Sequence, residues 1–167
     1  PEDIWQTVSR FINIDVESAR SLYNLSKDSI DWKVEWAQAD VRNSGPSKER
    51  IKPILYRPFD IRFTYYTGNS SGFHCRPRPD TMTHMLQENL GFVFHRREEL
   101  AVPYSHFFIT EKMVEHGGLS SKTTCYLAPL YTYRNGVKTP NINPSLISEL
   151  ASKYGKSPHE KDILSYI

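Results

Sequence analysis

Hydrophobic spacing changes character once along this chain, near Lys52, and that change limits the fold more than any other feature. Before it, Ile4, Val8, Phe11 and Ile12 recur at helical spacing. Asp15 then occupies the N-cap position of a second helix through Ala19, Leu22 and Tyr23. A third run, Asp28 to Val41, puts Trp32, Trp36 and Ala39 on one packing stripe and is ended by Asn43-Ser44-Gly45-Pro46. Beyond Lys52 the runs become short and β-like: Ile54-Leu55-Tyr56 and Arg62 to Tyr66, separated by the turn Pro58-Phe59-Asp60. Phe73 to Arg76, Leu90 to His95, Phe107 to Thr110 and Thr123 to Tyr133 read as further strands, and Asp80 as the cap of a helix to Leu86. Pro144 to Tyr154 reads as a helix stopped by Gly155. A last helix begins near Pro158 and is still running at Ile167.

The spacing predicts an α+β fold: a mixed or mostly antiparallel sheet, a helical N-terminal lead and C-terminal helices. Residues 1–52 are read as the lead, packed on the rest of the domain or on a neighbouring domain, and residues 53–167 as the core. The absence of an initiator methionine and an amphipathic segment that stops mid-pattern at Ile167 suggest a piece of a longer protein.

With 38% hydrophobic residues among 167 the chain can build a core, which excludes disorder. No window approaches the ~20 apolar residues of a membrane span, and no signal peptide is evident. Cys75 and Cys125 make no disulfide framework, so a cytoplasmic location is expected. A net charge of +2 excludes a histone-like polycation.

Charge is more informative by position. Pro1 to Lys52 balances at −1, whereas Pro53 to Arg97 carries six basic and three acidic residues. All six are arginines: Arg57, Arg62, Arg76, Arg78, Arg96 and Arg97. Arginine without lysine suits planar, two-pronged recognition of phosphate or guanine. Asp60, Asp80 and Glu88 pair some of them, and three acids leave a surplus.

Catalytic motifs are missing. There is no phosphate-cradling loop, dinucleotide fingerprint or nucleophile elbow, and His116-Gly117-Gly118 only echoes an oxyanion loop. Five of the six histidines fall between His74 and His116, but only the adjacent His74-Cys75 is closely spaced, and neighbours on a strand face opposite ways. No metal site is expected. What remains is arginine with small polar residues on loops, the chemistry that reads base edges and phosphates. Gly68 to Gly72 reads as a mobile tip, and Arg76 and Arg78 project together if extended.

Tyr56-Arg57-Pro58-Phe59-Asp60-Ile61-Arg62-Phe63-Thr64-Tyr65-Tyr66-Thr67-Gly68, then Arg76-Pro77-Arg78, His84-Met85 and Asn89-Leu90-Gly91, resembles the C-terminal specificity domain of type ISP restriction-modification enzymes and related adenine-specific DNA methyltransferases. Asp31 to Gln38, Tyr126 to Tyr131 and Asn141 to Pro144 fit the same pattern. The resemblance implies a target-recognition domain for double-stranded DNA. The S-adenosylmethionine pocket and the active site would lie in the methyltransferase domain of the same polypeptide, with or without a nuclease. Asn141-Ile142-Asn143-Pro144 is not the methyltransferase motif, so the fragment itself is read as non-catalytic and without cofactor.

Arg57, Asp60 and Arg62 are read as a structural lock for a hairpin in which Phe59, Phe63 and Tyr65 pack. The expected DNA contacts are Asn69, Ser70, Arg76, Arg78, His95, Arg96, Arg97, Lys112 and Lys122. The rival readings are a protein–protein interaction module without nucleic-acid binding, and a hydrolase using one of the clustered histidines.

Overall fold

The computed structural model describes residues 1–96, 107–119 and 123–166. Among these the chain is α+β, with small sheets, and it divides into two compact units: Pro1–Ile54 with Ile61–Met82, and Leu55–Asp60 with Thr83–Ile167. The helical lead thus shares a unit with residues as far along as Met82.

In the first unit, α1 (Glu2–Phe11), α2 (Val16–Leu22) and α3 (Val34–Asn43) bury the apolar positions that their spacing selects. Phe11, Ala19, Val34 and Ala37 make one cluster; Val8 and Val41 meet Tyr65 in another. Asp15 caps α2 as expected, accepting from Ser18 N at 2.9 Å. Gln38 is buried, and its amide donates to the carbonyls of Phe11 (2.7 Å) and Ile14 (2.9 Å). These acceptors lie at and just beyond the end of α1, where helical carbonyls lose their own partners.

The third helix starts six residues later than its pattern suggests. Trp32 N donates to Ser29 Oγ at 3.1 Å and Ser29 N to Trp32 O at 2.9 Å, a local turn that competes with helix. Trp32 therefore leaves the stripe of Trp36, and its indole donates to Phe73 O at 3.3 Å. β1 (Ile51–Arg57) has β2 (Asp60–Tyr65) as a neighbour, and Tyr66 N closes on Arg50 O at 2.8 Å. The strand expected at Phe73–Arg76 does not form; Tyr66 to Arg78 is one irregular loop leading to the single turn α4 (Pro79–Met82).

In the second unit, β3 (Gly91–His95) lies between β4 (Phe107–Thr110) and β6 (Cys125–Pro129), antiparallel to both. β5 (Met113–Val114) neighbours β1, and Glu115 N donates to Leu55 O at 3.0 Å. Gly91 permits close packing, since a Cβ there would lie 2.5 Å from Leu127 Cδ1. Buried Asn89 donates to Tyr131 O at 2.7 Å and accepts from Tyr131 N at 3.1 Å.

The run expected as one strand over Thr123–Tyr133 is two, because Leu130 separates β6 from β7 (Tyr131–Arg134). β7 pairs with β8 (Val137–Pro140) across Asn135-Gly136, both at positive φ, the primed-turn signature that joins twisted strands. α5 (Pro144–Tyr154) is capped by Asn143 and ended by Gly155 at φ +70°. α6 (Glu160–Leu164) stops short of its expected length, with Ser165 Oγ donating back to Lys161 O at 2.9 Å. Among the described residues no helix is long and apolar enough to cross a membrane.

Candidate nucleic-acid interface

Four expected contact residues, Asn69, Ser70, Arg76 and Arg78, share the Tyr66–Arg78 loop of the first unit. One carboxylate organises it. Asp40 of α3 accepts from Thr67 Oγ1 (2.7 Å) and Phe73 N (2.8 Å) on one oxygen, and from Asn69 Nδ2 (2.7 Å) and Ser44 Oγ (3.1 Å) on the other. Burial pushes the Asp40 carboxyl up, but these hydrogen bonds together outweigh it and hold the group below its ordinary value. A Cβ on Gly72 would sit 2.3 Å from Asp40 Oδ2, so only glycine lets the loop close over the acid. At its far end, Tyr66 Oη donates to Pro77 O at 3.1 Å.

The loop is therefore anchored rather than a mobile tip. Its anchors include Asn69, whose amide is held by Asp40 and by Ser44 Oγ (3.2 Å). Ser70 stays exposed at the apex. Arg76 pairs with Asp31, yet its side chain is 65% exposed and that of Asp31 50%. Such a surface pair is worth only about 0.2–1 kcal/mol and yields readily to a phosphate. Arg78 is exposed at φ +51°, and its carbonyl accepts from Met82 N at 2.9 Å, so it starts α4 instead of extending the chain beside Arg76.

His74 lies inside this loop. Its Nε2 shares a hydrogen bond with Thr64 Oγ1 at 2.9 Å, and its Nδ1 is buried with no partner among the described residues. Burial lowers its pKa from the ordinary 6.5, against the opposing charge of Asp40.

In the second unit the expected residues are dispersed. His95 is 5% exposed and bonds Thr123 Oγ1 at 2.7 Å through Nδ1; it is a core histidine, which corrects its expected place at the surface. It follows Val93 on the buried face of β3, the two-residue period having turned it inward. Arg96 is exposed and stacks over the Tyr126 ring at 5.3 Å. Lys112, beside Glu111, lines a cleft of about 180 Å³ with Lys138, Lys161 and Glu88. Arg97 and Lys122 lie outside the described residues.

In the expected hairpin lock, Arg57, Asp60 and Arg62 all have interaction partners. Arg57 extends to Glu115 (2.7 Å) and stacks on Tyr56. Phe59 and Phe63 are exposed, while Tyr65 alone of the expected trio is buried. Glu115 further accepts from Gly117 N at 2.8 Å, so the His-Gly-Gly segment is a structural turn. His84 Nδ1 accepts from Tyr133 N (3.1 Å), and His116 bonds Thr124 (3.1 Å), further structural uses of the histidines. Among the described residues no cluster of three metal-ligating side chains forms.

Asp31, Asp40 and Glu115 were not singled out by sequence reasoning. Summing charge over Pro53–Arg97 counted only local acids, whereas Arg76 and Arg57 take partners 45 and 58 residues away.

A family model described as "Type ISP C-terminal specificity domain" matches residues 1–167. Among solved structures, a cryo-EM structure of a DrdV–DNA complex matches with a TM-score of 0.56 at 21% identity, over 96% of this chain and 15% of that one. That likeness concerns the fold. The chain thus spans about a seventh of the solved chain it resembles. Comparison with curated proteins gives no match.

Proposed function

The chain belongs to the type ISP C-terminal specificity domains, and we propose that it recognises a double-stranded DNA target on behalf of a longer restriction-modification polypeptide. In that polypeptide a preceding domain would bind S-adenosylmethionine and methylate adenine N6, with or without an attached nuclease, in the cytoplasm. This segment would supply sequence choice and no chemistry.

One observation carries the reading: the Tyr66–Arg78 loop is fixed by Asp40 and Tyr66 yet leaves Ser70, Arg76 and Arg78 exposed. A pre-shaped loop loses little conformational entropy on binding, and guanidinium groups fork onto guanine or phosphate. The DNA in the DrdV complex, a structure of the same fold, supports it further. Arg96 and Lys112 would add phosphate contacts; Asn69 would act by shaping the loop.

The test is duplex binding by the intact polypeptide across a salt series. Affinity should fall as salt rises, and Arg76→Ala and Arg78→Ala should each weaken it. Salt-independent binding, or none, overturns the proposal.

A second reading rests on the outer face of the β4–β3–β6 sheet, where register aligns Phe92 and Phe94 with the exposed Phe107, Ile109 and Tyr126. Such a face suits a protein partner, the methyltransferase domain first among them. Capture of a protein without DNA would favour it.

A further inference from the structure

Phe59 stands at the tip of the hairpin between β1 and β2 and combines two unfavourable features. Its φ is +65°, in the left-handed region that bulky L-residues avoid, and it is 90% exposed. Glycine or asparagine ordinarily fills such a turn position, since either tolerates positive φ. Here an apolar ring takes it. The ring makes an edge-on contact with Phe108 at 5.2 Å, which leaves most of its surface in water. This choice runs against both backbone preference and solubility. Sparsely populated backbone conformations persist mainly where they position a group for use.

The rest of the tip is built to aim that ring. Pro58 fixes its own φ, so the turn has little freedom to fold the ring back. Arg57 is held in place by Glu115 and by the Tyr56 ring, and Leu55 is tied to Glu115 N. Between Arg57 and Asp60 the turn offers one aromatic side chain. A protein interface would present a patch of several apolar groups around a central anchor. Ile61 and Phe63 are also exposed, but on the strand that follows. The turn itself carries the single ring of Phe59, and a ring at the apex of a stiff turn beside a cation has the form of a wedge that enters a base step.

We infer that Phe59 is a wedge residue that inserts between stacked base pairs of duplex DNA and kinks it. The inference rests on the DNA-recognition reading above and adds a site that the exposed Tyr66–Arg78 loop does not include. Its role is distortion: insertion would favour steps that unstack easily, adding selectivity without a base-edge hydrogen bond.

The experiment uses the intact polypeptide and a duplex selected by it from a randomised pool. Affinity is measured together with end-to-end distance by fluorescence energy transfer. The wild type should shorten the duplex, as expected for a kink of about 20–90°. Phe59→Gly should lose the Phe59-dependent kink and bind about tenfold more weakly, a typical loss for one stacked ring. Phe59→Leu, still an apolar wedge, should retain much of both.

Phe59→Gly should also melt no lower than the wild type, because glycine accepts the positive φ. A substantially lower melting temperature without DNA would assign the ring to packing or domain docking and overturn the inference. Unchanged affinity and kinking in Phe59→Gly would overturn it as well, while leaving the DNA reading intact. Failure of the wild type to bind any duplex would remove both.

Discussion

The side-chain amide of Asn69 donates to Asp40 at 2.7 Å, so a residue with the chemistry of a base reader holds its own loop in place. The same carboxylate receives Thr67 and the Phe73 backbone. Removing it in Asp40→Ala leaves Phe73 N–H without its acceptor and should cost about 2 kcal/mol or more, measured by denaturant unfolding. Loss of DNA affinity should accompany it, whereas Asn69→Ala should be milder in both.

Acid should loosen this loop in two stages. His74 has a folded pKa below 6.5 because burial disfavours the imidazolium. The unfolded chain then binds the extra proton first, so stability is full above about pH 6.5 and declines as pH falls through the folded value. Asp40 is also depressed, below its ordinary 3.8. Its contribution is present above that pH and lost below it. Unfolding free energy followed from pH 7 to 5 should decline in the wild type and flatten in His74→Phe; equal slopes in the two would contradict the assignment.

The Arg76–Asp31 pair gives predictions of opposite sign. Arg76→Ala should reduce stability by no more than about 1 kcal/mol, yet weaken duplex binding and lower the salt slope by about 1. Asp31→Asn removes the anion that competes with phosphate, so binding should stay equal or tighten. Weaker binding in Asp31→Asn would mean that Arg76 needs the acid to hold its position.

Gly72 and Gly91 should differ although both face atoms within 2.5 Å of an added Cβ. At Gly72 the obstacle is Asp40 Oδ2, fixed by its hydrogen bonds; at Gly91 it is the end of Leu127. Gly72→Ala should cost about 1–3 kcal/mol and Gly91→Ala less. In an Asp40→Ala background the Gly72→Ala penalty should shrink, a coupling that a double-mutant cycle measures directly.

Local signals carried the frame of this protein. Asp15 capped its helix, the aromatic-rich Leu90–His95 run became the central strand β3, and Gly155 ended α5. Asn135-Gly136 was an equally plain hairpin signal that went unread. The candidate site was less legible because its geometry depends on distant partners. No window around Asn69 or Arg76 shows that Asp40 and Asp31 lie beside them, and segment charge sums assume that ions pair with their neighbours. Inward or outward placement at strand ends was also decisive: His95 and Arg96 are adjacent, and the pleat buried one and exposed the other.

The division of the chain has a practical consequence. Leu55–Asp60 belongs with Thr83–Ile167, although Ile61–Met82 intervenes. No single truncation isolates either unit whole. A fragment beginning at Thr83 would leave Glu115 without both its backbone acceptor at Leu55 and its guanidinium partner at Arg57, and Phe108 without the ring of Phe59. Dissecting this protein calls for circular permutation or a grafted linker, not a cut.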